Sequence, residues 1–230
     1  MYARLLFLVL GACGRLGFTE ARTADGGPAT DATATKENGL DATTATGCTP
    51  PGFPQPFVSA CESWGWTTAI GATVTVNNEF AISPTAGMNN SFGGCIEQNV
   101  MAFGNGFLTE ISEFLDPTMP TYTSLQGWGS TSGSFFIILQ MEEFQFYVND
   151  TLVSTMPFDP TLRWWRIRPD PSSGLAVLGE VSRDAQTWIA IGSMAMTVPD
   201  FVKTQVGAGY NGVAPANLGM TRFHSVNICP

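Results

Sequence analysis

Charge is what this sequence has least of. Asp, Glu, Lys and Arg make up 13% of the 230 residues, roughly half the usual share of about 25%. That excludes a disordered chain, a coiled coil and a solvated helical bundle, each of which needs far more Glu, Lys and Arg. Positive charge is the scarcer sign, with 10 Lys and Arg against 19 Asp and Glu and a formal net charge of −9. No basic cluster exists to neutralise phosphates, so nucleic acid is excluded as a partner. Histidine occurs once, as His224, and no cysteine pair has Cys-x-x-Cys spacing. A zinc site is not expected on that stock of ligands. There is no Gly-x-Ser-x-Gly, and a single histidine supports few nucleophile chemistries. Glycine, in contrast, has 25 copies, and hydrophobic residues reach 44%. The balance is that of an extracytoplasmic β protein.

The N-terminus predicts a destination. Met1-Tyr2-Ala3-Arg4 is a short positive segment, and Leu5-Leu6-Phe7-Leu8-Val9-Leu10 follows it. That apolar run is far shorter than the roughly 20 residues of a membrane-spanning helix, and it reads as a secretory signal. It ends in Leu10-Gly11-Ala12-Cys13, which resembles the lipobox of bacterial lipoproteins. The resemblance implies cleavage before Cys13 and acylation of that residue, with the membrane as a partner. With Gly14 rather than Asp after the cysteine, it implies the outer membrane of the cell envelope. Residues 13–47 are dominated by Thr and Ala, with little beyond Leu16, Phe18 and Leu40 to bury. Such a segment cannot offset its ordering entropy and reads as a flexible tether of roughly 30 Å. The predicted organisation is therefore signal segment 1–12, tether 13–47 and folded domain 48–230.

Four cysteines remain, Cys48, Cys61, Cys95 and Cys229. In an exported chain they predict two disulfides, with three connectivities open. Cys48 and Cys229 stand at the two ends of the folded part, which favours Cys48–Cys229 with Cys61–Cys95.

From Val74-Thr75-Val76 onward the pattern is strand after strand. Residues 135–141 are a nearly continuous apolar run, as for a strand buried on both faces. Residues 144–148 and 151–153 flank Asn149-Asp150, which predicts a hairpin with a two-residue turn. Further strands are predicted at 162–168, 176–182, 187–191, 204–210 and 221–228. No long amphipathic helix separates them, so the fold class is all-β, an antiparallel β-sandwich.

Three segments carry a family resemblance. Phe158-Asp159-Pro160-Thr161 leads into Arg163-Trp164-Trp165-Arg166-Ile167-Arg168. Gly179-Glu180-Val181-Ser182-Arg183-Asp184-Ala185-Gln186-Thr187-Trp188 resembles a Ser-x-Asp-Gly-x-x-Trp hairpin, with Ala185 where glycine is usual. Arg222-Phe223-His224-Ser225-Val226 closes the set, with His224 where the pattern has Asp. Together they resemble the concanavalin A-like (laminin-G/lectin/glucanase) jelly roll. The resemblance implies two curved sheets with a concave face, and covers about a third of the chain.

Glycan-cutting members of that superfamily carry Glu-x-Asp-x-(x)-Glu on one strand, because one carboxyl must donate a proton while another attacks or activates water. Here Glu142 and Glu143 are adjacent, and Glu110-Ile111-Ser112-Glu113 has opposite parity on a regular strand. Neither reads as a catalytic pair, no catalytic residue is assigned, and the expectation is a domain that is not an enzyme. Binding is the reading that the residues favour. Alternation places Trp164, Arg166 and Arg168 on one side of their strand and Trp165 and Ile167 on the other, with Glu180 within reach across the hairpin. An aromatic plate beside Arg and Glu suits a sugar or a surface protein. The competing reading makes Arg166–Glu180 a cross-strand ion pair and Trp164 a covering residue. No cofactor is implied. Asn149, Asp150 and Asp170 are candidate calcium ligands without a dense acidic loop, so no metal is assigned. The expected function is a cell-envelope lipoprotein whose head binds carbohydrate, the alternatives being a structural or adhesive module and an atypical glycoside hydrolase.

Overall fold

From residue 135 onward every predicted strand forms. In the computed structural model, residues 65–76, 79–97, 101–104, 106–129 and 133–228 are described, all within the unit 45–230. The signal segment 1–12, the tether 13–47 and Cys13, Cys48, Cys61 and Cys229 lie outside them. The described residues contain no helix. Their strands are β1 (Gly65–Ile70), β2 (Ala72–Val76), β3 (Phe80–Pro84), β4 (Asn89–Glu97), β5 (Met101–Ala102), β6 (Phe107–Glu113), β7 (Thr121–Gly129) and β8 (Ser134–Gln140). They continue with β9 (Glu143–Val148), β10 (Thr151–Pro157), β11 (Trp164–Pro169), β12 (Ala176–Ser182), β13 (Trp188–Ala195), β14 (Phe201–Val213) and β15 (Thr221–Ile228).

An eight-stranded sheet runs β1-β4-β14-β7-β8-β9-β10, with the short β5 also on β14, and a seven-stranded sheet runs β13-β12-β11-β6-β15-β3-β2. Each strand is antiparallel to its neighbours. At the hairpin between β9 and β10, Asn149 and Asp150 have φ of 49° and 60°. Two consecutive left-handed residues match the twist of the flanking strands, which is why Asn-Asp is suited to this turn.

The core lies between the sheets. Phe107, Ile111, Trp165, Ile167 and Phe223 of one sheet meet Leu125, Ile137, Phe144, Phe146 and Val206 of the other. Trp165 is fully buried, donates its indole N–H to the Leu162 carbonyl at 3.1 Å, stacks on Phe114 and meets Phe144 edge-on. A polar link crosses the core: Thr123 Oγ1 and Thr221 Oγ1 stand 2.9 Å apart, and Thr221 Oγ1 accepts from the Leu115 amide. Cys95, buried on β4, is disulfide-bonded, with its partner outside the described residues.

Candidate functional site

Register decides what the outward face of the seven-stranded sheet presents. On β11, Trp165 and Ile167 enter the core, so Trp164, Arg166 and Arg168 point outward, as alternation predicted. Trp164 stands opposite Glu110 of β6 and Ser182 of β12, and Ser182 stands opposite Trp188 of β13. One row thus reads Glu110, Trp164, Ser182, Trp188. The next reads Leu108, Arg166, Glu180, Ala190.

The four residues predicted as a ligand site come together here, and three of them are held by one another. Arg166 Nε donates to Glu180 Oε2 at 2.7 Å, and Arg168 reaches the same carboxylate through Nε at 2.8 Å and Nη2 at 2.9 Å. Arg166 and Glu180 keep 5% and 6% of their side-chain surface, Arg168 22%. The Trp188 ring covers the guanidinium of Arg166, 3.9 Å from Cζ to the ring centroid, a cation–π arrangement. Burial pushes the Arg166 guanidinium below its ordinary pKa, while Glu180 pulls it back up. For Arg166 and Glu180 the structure therefore shows the cross-strand ion pair rather than a free contact surface. Trp164 and Arg168 are the members of the set that still reach solvent.

The sequence reading missed the acidic part of this face. Glu113 pairs with Arg222 of β15, and Glu110 pairs with Ser225, but between them the register slips and Ser112 is passed over. Because Ile111 and Phe223 point into the core, the irregularity turns Glu113 outward beside Glu110. The opposite parity expected of Glu110 and Glu113 is thereby corrected: a bulge in β6 adds one residue and restores a common face. Two to three residue rises, roughly 7–10 Å, separate them along the strand. Each is salted by an arginine, Glu113 to Arg222 Nε at 2.8 Å and Glu110 to Arg163 Nη2 at 3.7 Å. Arg222 continues to Glu79, which also meets His224 Nε2 at 2.9 Å. No signal on β6 alone could have shown this, since a bulge is a property of two strands.

The loops beside the face explain the motifs. Asp159 accepts from the Thr161 amide and hydroxyl and from Arg183 Nη2, while Arg183 Nε donates to Thr161 Oγ1. These bonds hold its carboxyl at about 2, below the ordinary 3.8. In the β12–β13 turn, Asp184 Oδ1 accepts from the amides of Gln186 and Thr187 and from the Ser182 hydroxyl. Ala185, where glycine is usual, has φ of 59°. The calcium candidates serve as turn builders: Asn149 Oδ1 accepts from the Ser134 amide, and Asp170 accepts from Ser172 and Ser193. Among the described residues no group of three or more His, Cys, Asp or Glu could hold a metal ion.

No family model matches the sequence, and no curated protein does either. Solved structures do. The Crh5 transglycosylase in complex with NAG matches with a TM-score of 0.53 at 11% identity, covering 76% of this chain and 82% of that one. The Bacillus licheniformis beta-glucanase matches at 0.47 and 12% identity, covering 71% and 87%. Lectin I-B4 from Griffonia simplicifolia matches at 0.44 and 13%, covering 70% and 92%. At these identities the likeness is one of fold alone, an antiparallel β-sandwich of the jelly-roll kind. It also corrects the expectation that the domain is not an enzyme. The same architecture matches a transglycosylase in both apo and NAG-bound structures, so the fold gives no ground for setting catalysis aside.

Proposed function

We propose that this domain recognises carbohydrate on the outward face of its seven-stranded sheet. The observation that carries the reading is the direct pairing of Trp164 with Glu110, with Arg168 close by and Glu113 further along the same face. A partly exposed indole offers an apolar plane to a sugar ring, and the carboxylates and guanidinium offer directional hydrogen bonds. Arg166 and Glu180 serve this face from beneath, as the ion pair that aligns β11 with β12. In keeping with the Leu10-Gly11-Ala12-Cys13 pattern, the head is tethered to the cell envelope through acylated Cys13.

A glycan array with purified protein tests the binding. Hits are expected, with Trp164→Ala and Glu110→Gln each abolishing them; silence on the array together with capture of a protein partner would favour a structural or adhesive module. Partition of the mature protein into membranes, lost in Cys13→Ala, tests the anchor.

A second reading rests on Glu110 and Glu113 sharing a face. Glycoside cleavage needs two carboxyl groups about 5–9.5 Å apart, one donating a proton to the leaving oxygen while the other attacks or activates water. An acceptor hydroxyl in place of that water makes the reaction a transfer. Release of reducing ends or formation of transfer products, abolished in both Glu110→Gln and Glu113→Gln, would establish it. Tight binding without turnover would leave recognition as the function.

A further inference from the structure

The outward face of the seven-stranded sheet carries an ordered chain of charge that ends on Glu113. His224 Nε2 stands 2.9 Å from Glu79 Oε1. The other oxygen of that carboxylate, Oε2, accepts from Arg222 Nη1 at 3.2 Å, and Arg222 Nε donates to Glu113 Oε2 at 2.8 Å. Register assembles the chain. β15 lies between β3 and β6, and Arg222 stands opposite Glu113 on one side and Ala81 on the other. Phe223 stands opposite Phe80, so the next residues along, His224 on β15 and Glu79 just ahead of β3, come together. The pairing of β15 with β6 slips between Phe223 and Ser225. His224 is passed over on that side, and its ring is left to serve Glu79.

Two carboxylates in this chain compete for one guanidinium. The hydrogen bond to Glu113, reinforced by that to Glu79, raises Arg222 above its ordinary pKa, so its charge is constant. Histidine is the side chain whose charge changes near neutral pH. A neutral imidazole offers Glu79 an N–H dipole, whereas an imidazolium offers the same bond with a full positive charge. In the charged form Glu79 is neutralised from the His224 side and its pull on Arg222 weakens, leaving the guanidinium to Glu113. In the neutral form Arg222 is divided between the two carboxylates. The charged groups on the strands flanking β15 are Glu79 beside β3 and Glu110 and Glu113 on β6. Glu110 has an arginine of its own, Arg163, at 3.7 Å.

We propose that Arg222 is the positioning residue for Glu113, and that His224, acting through Glu79, sets how firmly it holds. The proposal rests on the recognition reading above, in which the Glu113 carboxylate accepts from a glycan hydroxyl. A carboxylate gripped by a whole guanidinium has less to offer such a hydroxyl than one that shares it. Binding at this face therefore strengthens as His224 loses its proton. The four side chains keep between 24% and 46% of their surface, where water and salt screen charge. The change is accordingly modest, about threefold in affinity.

The full-length protein, with ¹³C at its glutamate carboxyl carbons, is titrated without ligand from about pH 5 to about pH 8. The Glu113 carboxyl signal is expected to shift in step with the His224 ring signals, and that shift should vanish in Glu79→Gln. A Glu113 signal that ignores the His224 titration, or follows it equally in Glu79→Gln, overturns the proposal whether or not any sugar binds. Affinity for cellohexaose, laminarihexaose and chitohexaose is then measured over the same range. Binding is expected to rise about threefold with pH. His224→Gln, which keeps a donor for Glu79 without its charge, should hold binding at the high-pH level throughout. A pH step that survives in His224→Gln, or binding that is flat in the unsubstituted protein, also overturns the proposal. If the carboxyl signal follows His224 and none of the three sugars binds, the positioning of Glu113 stands and the recognition reading falls. The spectra of the unsubstituted protein decide the coupling even if a variant misfolds.

Discussion

Adjacent tryptophans on β11 have opposite fates. Trp165 fills the core between Phe114 and Phe144, so Trp165→Ala is expected to cost about 3–5 kcal/mol through the cavity it leaves. Trp164→Ala removes a partly exposed ring and should cost far less, and thermal melts of the two variants check the contrast. This much was legible from alternation, because β11 is regular from Trp164 to Pro169. The departure at Ala185 was legible as an oddity but not as a conformation. Its φ of 59° is one that a Cβ makes costly, by roughly 1–2 kcal/mol. Ala185→Gly should therefore raise the unfolding free energy by about 0.5–1 kcal/mol, part of the relief being offset by the looser unfolded chain. Asp159 supplies a pH dependence. Its folded pKa lies at about 2 against an ordinary 3.8, so its contribution is fully present above about 4 and is lost as pH falls towards 2. Asp159→Asn should lower the melting temperature between pH 5 and 7, with the difference from the native protein vanishing near pH 2.

Between strands, the two charged networks of the seven-stranded sheet should respond unequally. Glu180 neutralises two arginines and is almost wholly buried with Arg166. Glu180→Gln strands a buried guanidinium and is expected to cost about 3–5 kcal/mol in denaturant unfolding. Arg222→Ala breaks contacts with Glu113 and Glu79 that are open to solvent and should cost about 1 kcal/mol or less. A smaller loss for Glu180→Gln than for Arg222→Ala would show that the buried triad is not what aligns β11 and β12. The Arg166–Glu180 proximity was readable from the hairpin. The shared face of Glu110 and Glu113 was not, because Ser112 looks like any strand residue until β15 fails to pair with it.

Sheet membership is the part of the fold that local pattern could not reach. The sequence shows that residues 121–129 carry polar groups among apolar ones, yet not that Gln126 would meet Gln205 from 79 residues later in the chain. That pairing depends on which strands are brought between which, a matter of the whole chain. For the same reason the strand with the richest motifs, β11, drew the functional reading to one sheet.

β14 lies between β4 and β7, and β15 lies between β6 and β3. The last two described strands are thus the central members that join the halves of both sheets. Until residue 213 is available, β4 and β7 have no common partner, and until residue 228 is available neither do β3 and β6. A chain made N-terminus first therefore cannot close either sheet before these two strands are complete. It must wait, with apolar strand edges exposed, for β14 and β15, and the large sequence separation of these pairings makes closure slow. A chain ending at residue 200 should show no cooperative unfolding transition by circular dichroism, whereas the complete domain should. Folding of this domain is in effect timed by the arrival of β15, so its exposure to aggregation should be set by the interval before that arrival rather than by the stability of the finished sandwich.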